Sequence, residues 1–226
     1  MNRNQRTRIR NRGKLLLAAQ SIIIESGIKM LNPRKITEKA DLGLGTFYNH
    51  FKTIEDVVNN IIELIIQHHF LETIDYTRGL SDPAEIFAFA TRFSLGKFLD
   101  SEDWRRLVLD SGIWIEKLFS AIVQRALEII QRGISTGRFK VDQIDLLMSM
   151  LRGSGIMVAI DMRNGDLAVE MEKEFTIFYL KMLGIEKAEA IDICSRPLPP
   201  FSITKPPLKL LDEKQTALLK EESLDF

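Results

Sequence analysis

Two short helical patterns that meet at a tight turn constrain this chain's fold more than any other feature. N-P-R-K-I-T-E-K-A, residues 32–40, runs directly into D-L-G-L-G-T-F-Y-N-H-F, residues 41–51. Asn32 is an N-cap type, and Pro33 stands at the first helical position, where its missing N–H removes no hydrogen bond. Leu31 is placed to staple against Ile36 or its neighbours. Asp41 and Gly43 bracket the turn, both types that tolerate or cap unusual backbone conformations. The following helix is expected over about Leu44 to Phe51. It carries Phe47 and Phe51 four residues apart on one face and leaves Thr46, Tyr48, Asn49 and His50 pointing elsewhere.

Charge sets this segment apart. The formal net charge is zero, yet residues 1–52 hold eleven basic side chains against three acidic ones, and the remainder holds twenty against twenty-eight. A basic end on an acidic body suits a polyanion held by that end alone. Arg34, Lys35 and Thr37 lie near the N-terminus of the short second helix, where free N–H groups and the helix dipole favour a phosphate. Residues 1–9 have little apolar content and are expected to be a mobile Arg-rich arm. A first helix is expected from about Ile9 to Ser26, with Gly27 ending it as a left-handed cap.

Downstream, the pattern is helical throughout. Thr53 and Asp56 make a capping-box-like start for a long fourth helix reaching about Asp75. Asp82-Pro83 opens a fifth that ends near Leu99, and Ser101 caps a short sixth containing Trp104. A seventh spans about Ile113 to Thr136, an eighth about Asp142 to Met162 and a ninth about Leu167 to Leu183. Gly153 and Gly155 interrupt the eighth, which weakens that helix but permits close backbone approach. The expectation is an all-α chain of about nine helices, divided at residues 1–52, 53–184 and 185–226. The last part is a Pro-rich linker and tail, with a short amphipathic helix near Leu210 to Lys220.

Enzyme and metal chemistry find little support. His68 and His69 are adjacent, so on a helix they point about 100 degrees apart and do not form an i, i+4 metal pair. A lone Cys194 excludes an intrachain disulfide and has no neighbouring base. Gly43 to Gly45 lacks the preceding strand of a dinucleotide site. No apolar run approaches the roughly 18 residues of a membrane span, and the N-terminus lacks a secretory signal's apolar core. A cytoplasmic protein with no cofactor, metal or membrane partner is expected.

Gly45, Tyr48, His50 and Phe51 reproduce a G-x-x-Y-x-H-F pattern, with Ile36 to Ala40 ahead of it. From about Arg10 to Val58 the chain resembles the DNA-binding domain of the tetracycline-repressor family. It departs at Ala40-Asp41-Leu42-Gly43, where the family commonly has A-G-V-S, and at Ile54, where a Lys is common. The resemblance implies a three-helix helix-turn-helix domain on a larger helical body that binds ligand and dimerises through the helices at about 142–162 and 167–183. The partner is then a double-stranded, pseudo-palindromic operator. Lys35, Thr37, Tyr48, His50 and Lys52 are expected on phosphates, with Arg34 beside them. Thr46 and Asn49 are expected on base edges, Leu44 against a thymine methyl, and the Arg arm in the adjacent minor groove. For the body, Phe89, Arg92, Phe93, Trp104, Trp114, Arg152 and Met157 are the expected effector pocket. Its ligand would be largely apolar with an anionic end, such as an acyl chain. The competing reading is a DNA-anchored interaction protein whose body and tail bind a protein partner without sensing a small molecule.

Overall fold

The computed structural model describes residues 2–110, 115–198 and 203–222, with nothing but helices and connections among them. Helix α1, Arg3–Ser26, starts well before the expected point. Residues 3–8 are therefore helix rather than a mobile arm. A capping box closes its start: Asn2 Oδ1 accepts from the Gln5 N–H at 2.8 Å, and Gln5 Oε1 accepts from the Asn2 N–H at 2.9 Å. Arg and Gln are strong helix formers, so a helix already anchored by buried Leu15, Leu16 and Ala19 extends backward without needing apolar contacts. Gly27 ends α1 at φ +82°, with an extended ψ rather than a left-handed helical one.

Helix α2, Pro33–Ala40, starts as expected, with Asn32 Oδ1 accepting from the Lys35 N–H at 3.0 Å. Asp41 then adopts the left-handed conformation, φ 53° and ψ 53°. Helix α3, Leu44–Tyr48, is shorter than expected. Asn49 and His50 form a turn instead, tightened by the His50 N–H reaching the Phe47 carbonyl at 2.9 Å. Phe47 and Phe51 are buried, as their spacing requires. Helix α4, Ile54–Thr77, begins on the Thr53–Asp56 capping box and buries Val57, Ile61, Leu64 and Ile65.

Helix α5, Pro83–Asp100, packs against α4 on one side and the later helices on the other. The short α6, Glu102–Trp104, runs into a π-helical turn, Arg105–Leu109, that reaches back to α1. Helices α7, Ile115–Ser135, α8, Ile144–Asn164, and α9, Glu172–Met182, complete the body. Helix α10, Lys187–Ser195, was not anticipated from the sequence; it buries Ala190, Ile193 and Cys194 against α9 and α5.

The tail docks. Gln20, fully buried on α1, makes a reciprocal pair with Leu208: the Leu208 N–H donates to Gln20 Oε1 at 2.7 Å, and Gln20 Nε2 donates to the Leu208 carbonyl at 2.9 Å. His68 Nε2 bonds the Lys209 carbonyl at 2.8 Å, and the Thr204 N–H donates to Glu72 at 2.9 Å. Leu208 thus joins a core that runs unbroken from α1 and α3 through α4 to Trp104 and Phe119. Helix α11, Glu213–Glu222, lies along α4.

Candidate nucleic-acid interface and effector cavity

The turn between α2 and α3 sorts the expected DNA contacts by exposure. Leu44 and Tyr48 are 48% and 57% exposed and lie one turn apart on the same face of α3. Two large side chains are thus left in water beside a fully buried Phe47. Asn49, Lys35 and Lys52 are exposed beside them, and Thr46 and His50 are half-buried. Arg34 is exposed and paired with Glu38 at 3.0 Å, one turn along α2. Thr37 is a correction: it is buried, and its hydroxyl bonds the Pro33 and Arg34 carbonyls at 3.0 and 2.9 Å, so it braces α2 from within.

Because α1 is helical from Arg3, its basic side chains come alongside this face. Burial first, and then Arg8 and Arg12, push the His50 pKa below 6.5. Arg12 also sits 6.0 Å over the Phe51 ring and bonds Asn60 on α4. Arg8 was expected only as part of a mobile arm and Arg12 was not singled out; the Asn2–Gln5 capping box was the signal that would have placed them on a helix.

In the body, a cavity of about 80 Å³ lies between α4, α5, α7, α8 and α9. Phe70, Phe87, Phe119, Val123 and Phe175 make it largely apolar, with His69, Thr73, Ser94 and Tyr179 supplying polar atoms. The Ser94 hydroxyl lies 2.7 Å from the Ala90 carbonyl and 3.1 Å from His69 Nε2, within hydrogen-bond reach of both. Burial, reinforced by Lys97, holds the His69 pKa well below 6.5. Burial likewise pushes the Tyr179 hydroxyl up to about 12. Both polar rings are neutral near pH 7. On α8, Gly155 leaves room here: a Cβ would meet the Phe119 ring at 3.4 Å.

Of the expected pocket residues that the structure describes, Phe89, Arg92, Phe93, Trp104, Arg152 and Met157, none lines this cavity. Arg92 is buried but bonds Glu172 at 3.0 and 3.1 Å and the Arg196 carbonyl at 3.0 Å, tying α5 to α9 and α10. Phe93 backs the cavity wall, stacked 5.6 Å from His69, while Phe89 is buried outside it. Trp104 is fully buried under the Lys97 ammonium, 4.6 Å from its ring. Arg152 and Met157 are exposed on the outer face of α8, and Trp114 lies outside the described residues. The lining residues of α5, Phe87, Ala90, Thr91, Ser94 and Leu95, sit on a different face from Phe89, Arg92 and Phe93. Phenylalanine is buried on both faces, so size and periodicity did not distinguish them. Cys194 is buried on α10, and burial pushes its thiol up to about 11, away from nucleophilic use.

A basic two-helix reader joined by one long helix to an all-helical body with an internal cavity defines a helix-turn-helix regulator of transcription. Comparison with known proteins agrees. Residues 82–196 match the tetracyclin repressor-like C-terminal domain. The chain is 30% identical to RolR without ligand, with a TM-score of 0.68, covering 84% of this chain and 99% of RolR. Against RolR in complex with resorcinol the identity is again 30%, with a TM-score of 0.71 and coverage of 88% and 100%. A putative fatty acid metabolism regulator of Clostridium perfringens shares the fold, at 22% identity, a TM-score of 0.52 and coverage of 76% and 100%. No curated protein matched the sequence. The chain belongs to the tetracycline-repressor family of ligand-responsive transcription regulators.

Proposed function

We propose that this protein is a homodimeric repressor released from a pseudo-palindromic operator when a small, largely apolar molecule enters the α4–α9 cavity. One observation carries the reading. His69, Phe70 and Thr73 of the cavity wall lie on α4, whose other end is capped by Thr53 directly behind the reading turn. A 24-residue helix spans about 36 Å, so a tilt imposed at one end is delivered as a displacement at the other. The effector acts only by binding one tilt better than the other.

Support for the ligand's size comes from the cavity. At about 80 Å³ it is smaller than the ~150 Å³ engineered cavity that holds benzene, which argues against a long acyl chain. RolR binds resorcinol, a single ring, in keeping with that scale. Dimerisation is supported by Leu146, Met150, Met157 and Phe178, which α8 and α9 leave about half exposed or more. Two copies paired there would set two α3 helices about 34 Å apart, one turn of duplex. Lys35, Tyr48, His50 and Lys52 hold phosphates, joined by Arg8 and Arg12; Leu44, Thr46 and Asn49 meet base edges. Its place of action is the cytoplasm, with the chromosome, and it performs no catalysis. The reading in which the tail recruits a protein partner has less support, because Leu208 is spent on Gln20 and the core.

Selection of purified protein against random duplexes tests this. A pseudo-palindromic site should emerge, Tyr48→Ala should weaken binding to every duplex, and Asn49→Ala should also relax base preference. Binding that shows no sequence preference, or affinity unchanged in both variants, overturns the assignment.

A further inference from the structure

The cavity has an outer chamber. The C-terminal end of α4, the Gly79 turn, the start of α5 and the outer part of α7 enclose about 250 Å³ that shares Phe70, Thr73 and Arg125 with the inner cavity. The two adjoin at these shared side chains and contrast in character. Arg78, Arg125 and Arg132 line the outer chamber, and among the described residues no carboxylate does. On α7, Arg125 and Arg132 are seven residues apart, two helical turns, and so share a face. Arg78 approaches from α4 across the opening.

Neighbouring acids temper this charge without cancelling it. Arg125 pairs with Glu128, and Arg78 stands 3.5 Å from Asp75 in a pair exposed on both sides. Arg132 has no ion pair among the described residues. Beyond residue 52 the chain is acidic by eight charges, so three arginines lining one pocket run against the local trend. Such a concavity raises the local concentration of anions, and guanidinium forks match a carboxylate in shape.

We propose that this outer chamber binds the anionic end of the effector, so that the effector is an aryl or short-chain carboxylic acid. Its apolar group fills the largely apolar inner cavity, and its carboxylate meets Arg132 and Arg78. The inference rests on the cavity being the effector site. It also restores the anionic end that Arg92 and Arg152, placed elsewhere by the fold, do not serve.

Matched probes test it on the full-length protein by calorimetry: phenylacetate, 3-phenylpropionate and 4-phenylbutyrate, each against its alcohol. In at least one pair the acid should bind about tenfold tighter or more, with the advantage shrinking as salt rises. Arg132→Ala and Arg78→Ala alter exposed side chains and should remove most of that advantage, leaving the alcohol's affinity unchanged. Alcohols that bind as tightly as acids throughout, or variants that weaken both equally, overturn the anionic chamber and leave the apolar cavity standing. If neither acids nor alcohols bind, the cavity reading itself falls and takes this inference with it.

Discussion

The reading turn and the effector body both hold a functional face in place, but over different distances along the chain. In the reader, Asn32 caps Lys35, the Gly43 carbonyl accepts from Thr46, and Thr53 exchanges bonds with Asp56, each within three residues. In the body and at its junction, the pairs are Glu72 with Lys97, 25 residues apart, Arg92 with Glu172, 80 apart, and Gln20 with Leu208, 188 apart. Local bonds let the reader keep its shape while it is moved as a unit. Long-range bonds make the body's helices shift together, which a transmitted signal requires.

The largest expected effect strikes a long-range pair. Lys97 is fully buried and Glu72 nearly so; Lys97→Ala strands a carboxylate and should lower unfolding free energy by about 3–5 kcal/mol in urea titrations. The double variant Lys97→Met with Glu72→Gln should recover most of that loss. A single-variant loss below ~1 kcal/mol would break the contrast, since the body would then not depend on the pair. Next, Gln20→Ala strips the Leu208 N–H and carbonyl of their partner in a buried setting, for a loss of about 1–3 kcal/mol on thermal denaturation. Faster proteolysis after residue 196 should accompany it.

A smaller effect follows pH. His68 and His69 both have pKa values lowered from 6.5, chiefly by burial. Below about pH 6.5 the unfolded chain gains protons that the folded chain excludes. Stability that is complete above that pH should therefore fall by on the order of 1 kcal/mol by pH 5.5. His69→Gln should flatten the profile, and an unchanged slope would count against a neutral buried ring. Smallest of all, Asp41→Gly relieves a left-handed L-residue in the reader and should gain about 0.5–1 kcal/mol. Any change in ligand affinity in that variant would show that the two regions are less separable than their bonds imply.

The same contrast explains what the sequence revealed. Caps are local, so Asn32-Pro33, Thr53-Asp56 and Asp82-Pro83 placed three helix starts correctly. The start of α1 was missed because apolar content was weighed and the Asn2–Gln5 cap was not. Thr37 was misread because its neighbours are basic and exposed while its own hydroxyl turns inward to the α2 backbone. Arg92 was expected in the effector pocket, whereas its partner, Glu172, is a tertiary fact. Helix α10 went unrecognised because the Pro-rich run after it dominated the reading of residues 185–198. The cavity face of α5 was not legible at all, since that helix buries phenylalanine on more than one side.

The strap at Leu208 sets a clock on the molecule's birth. Local turns of the reader can close within microseconds of leaving the ribosome. Gln20 must then wait for a partner 188 residues later, roughly 10–40 s at ordinary elongation rates. Throughout that interval the groove between α1 and α4 is open. The nascent chain, rather than the finished protein, is therefore the form most exposed to a chaperone or to the tail of a neighbouring copy.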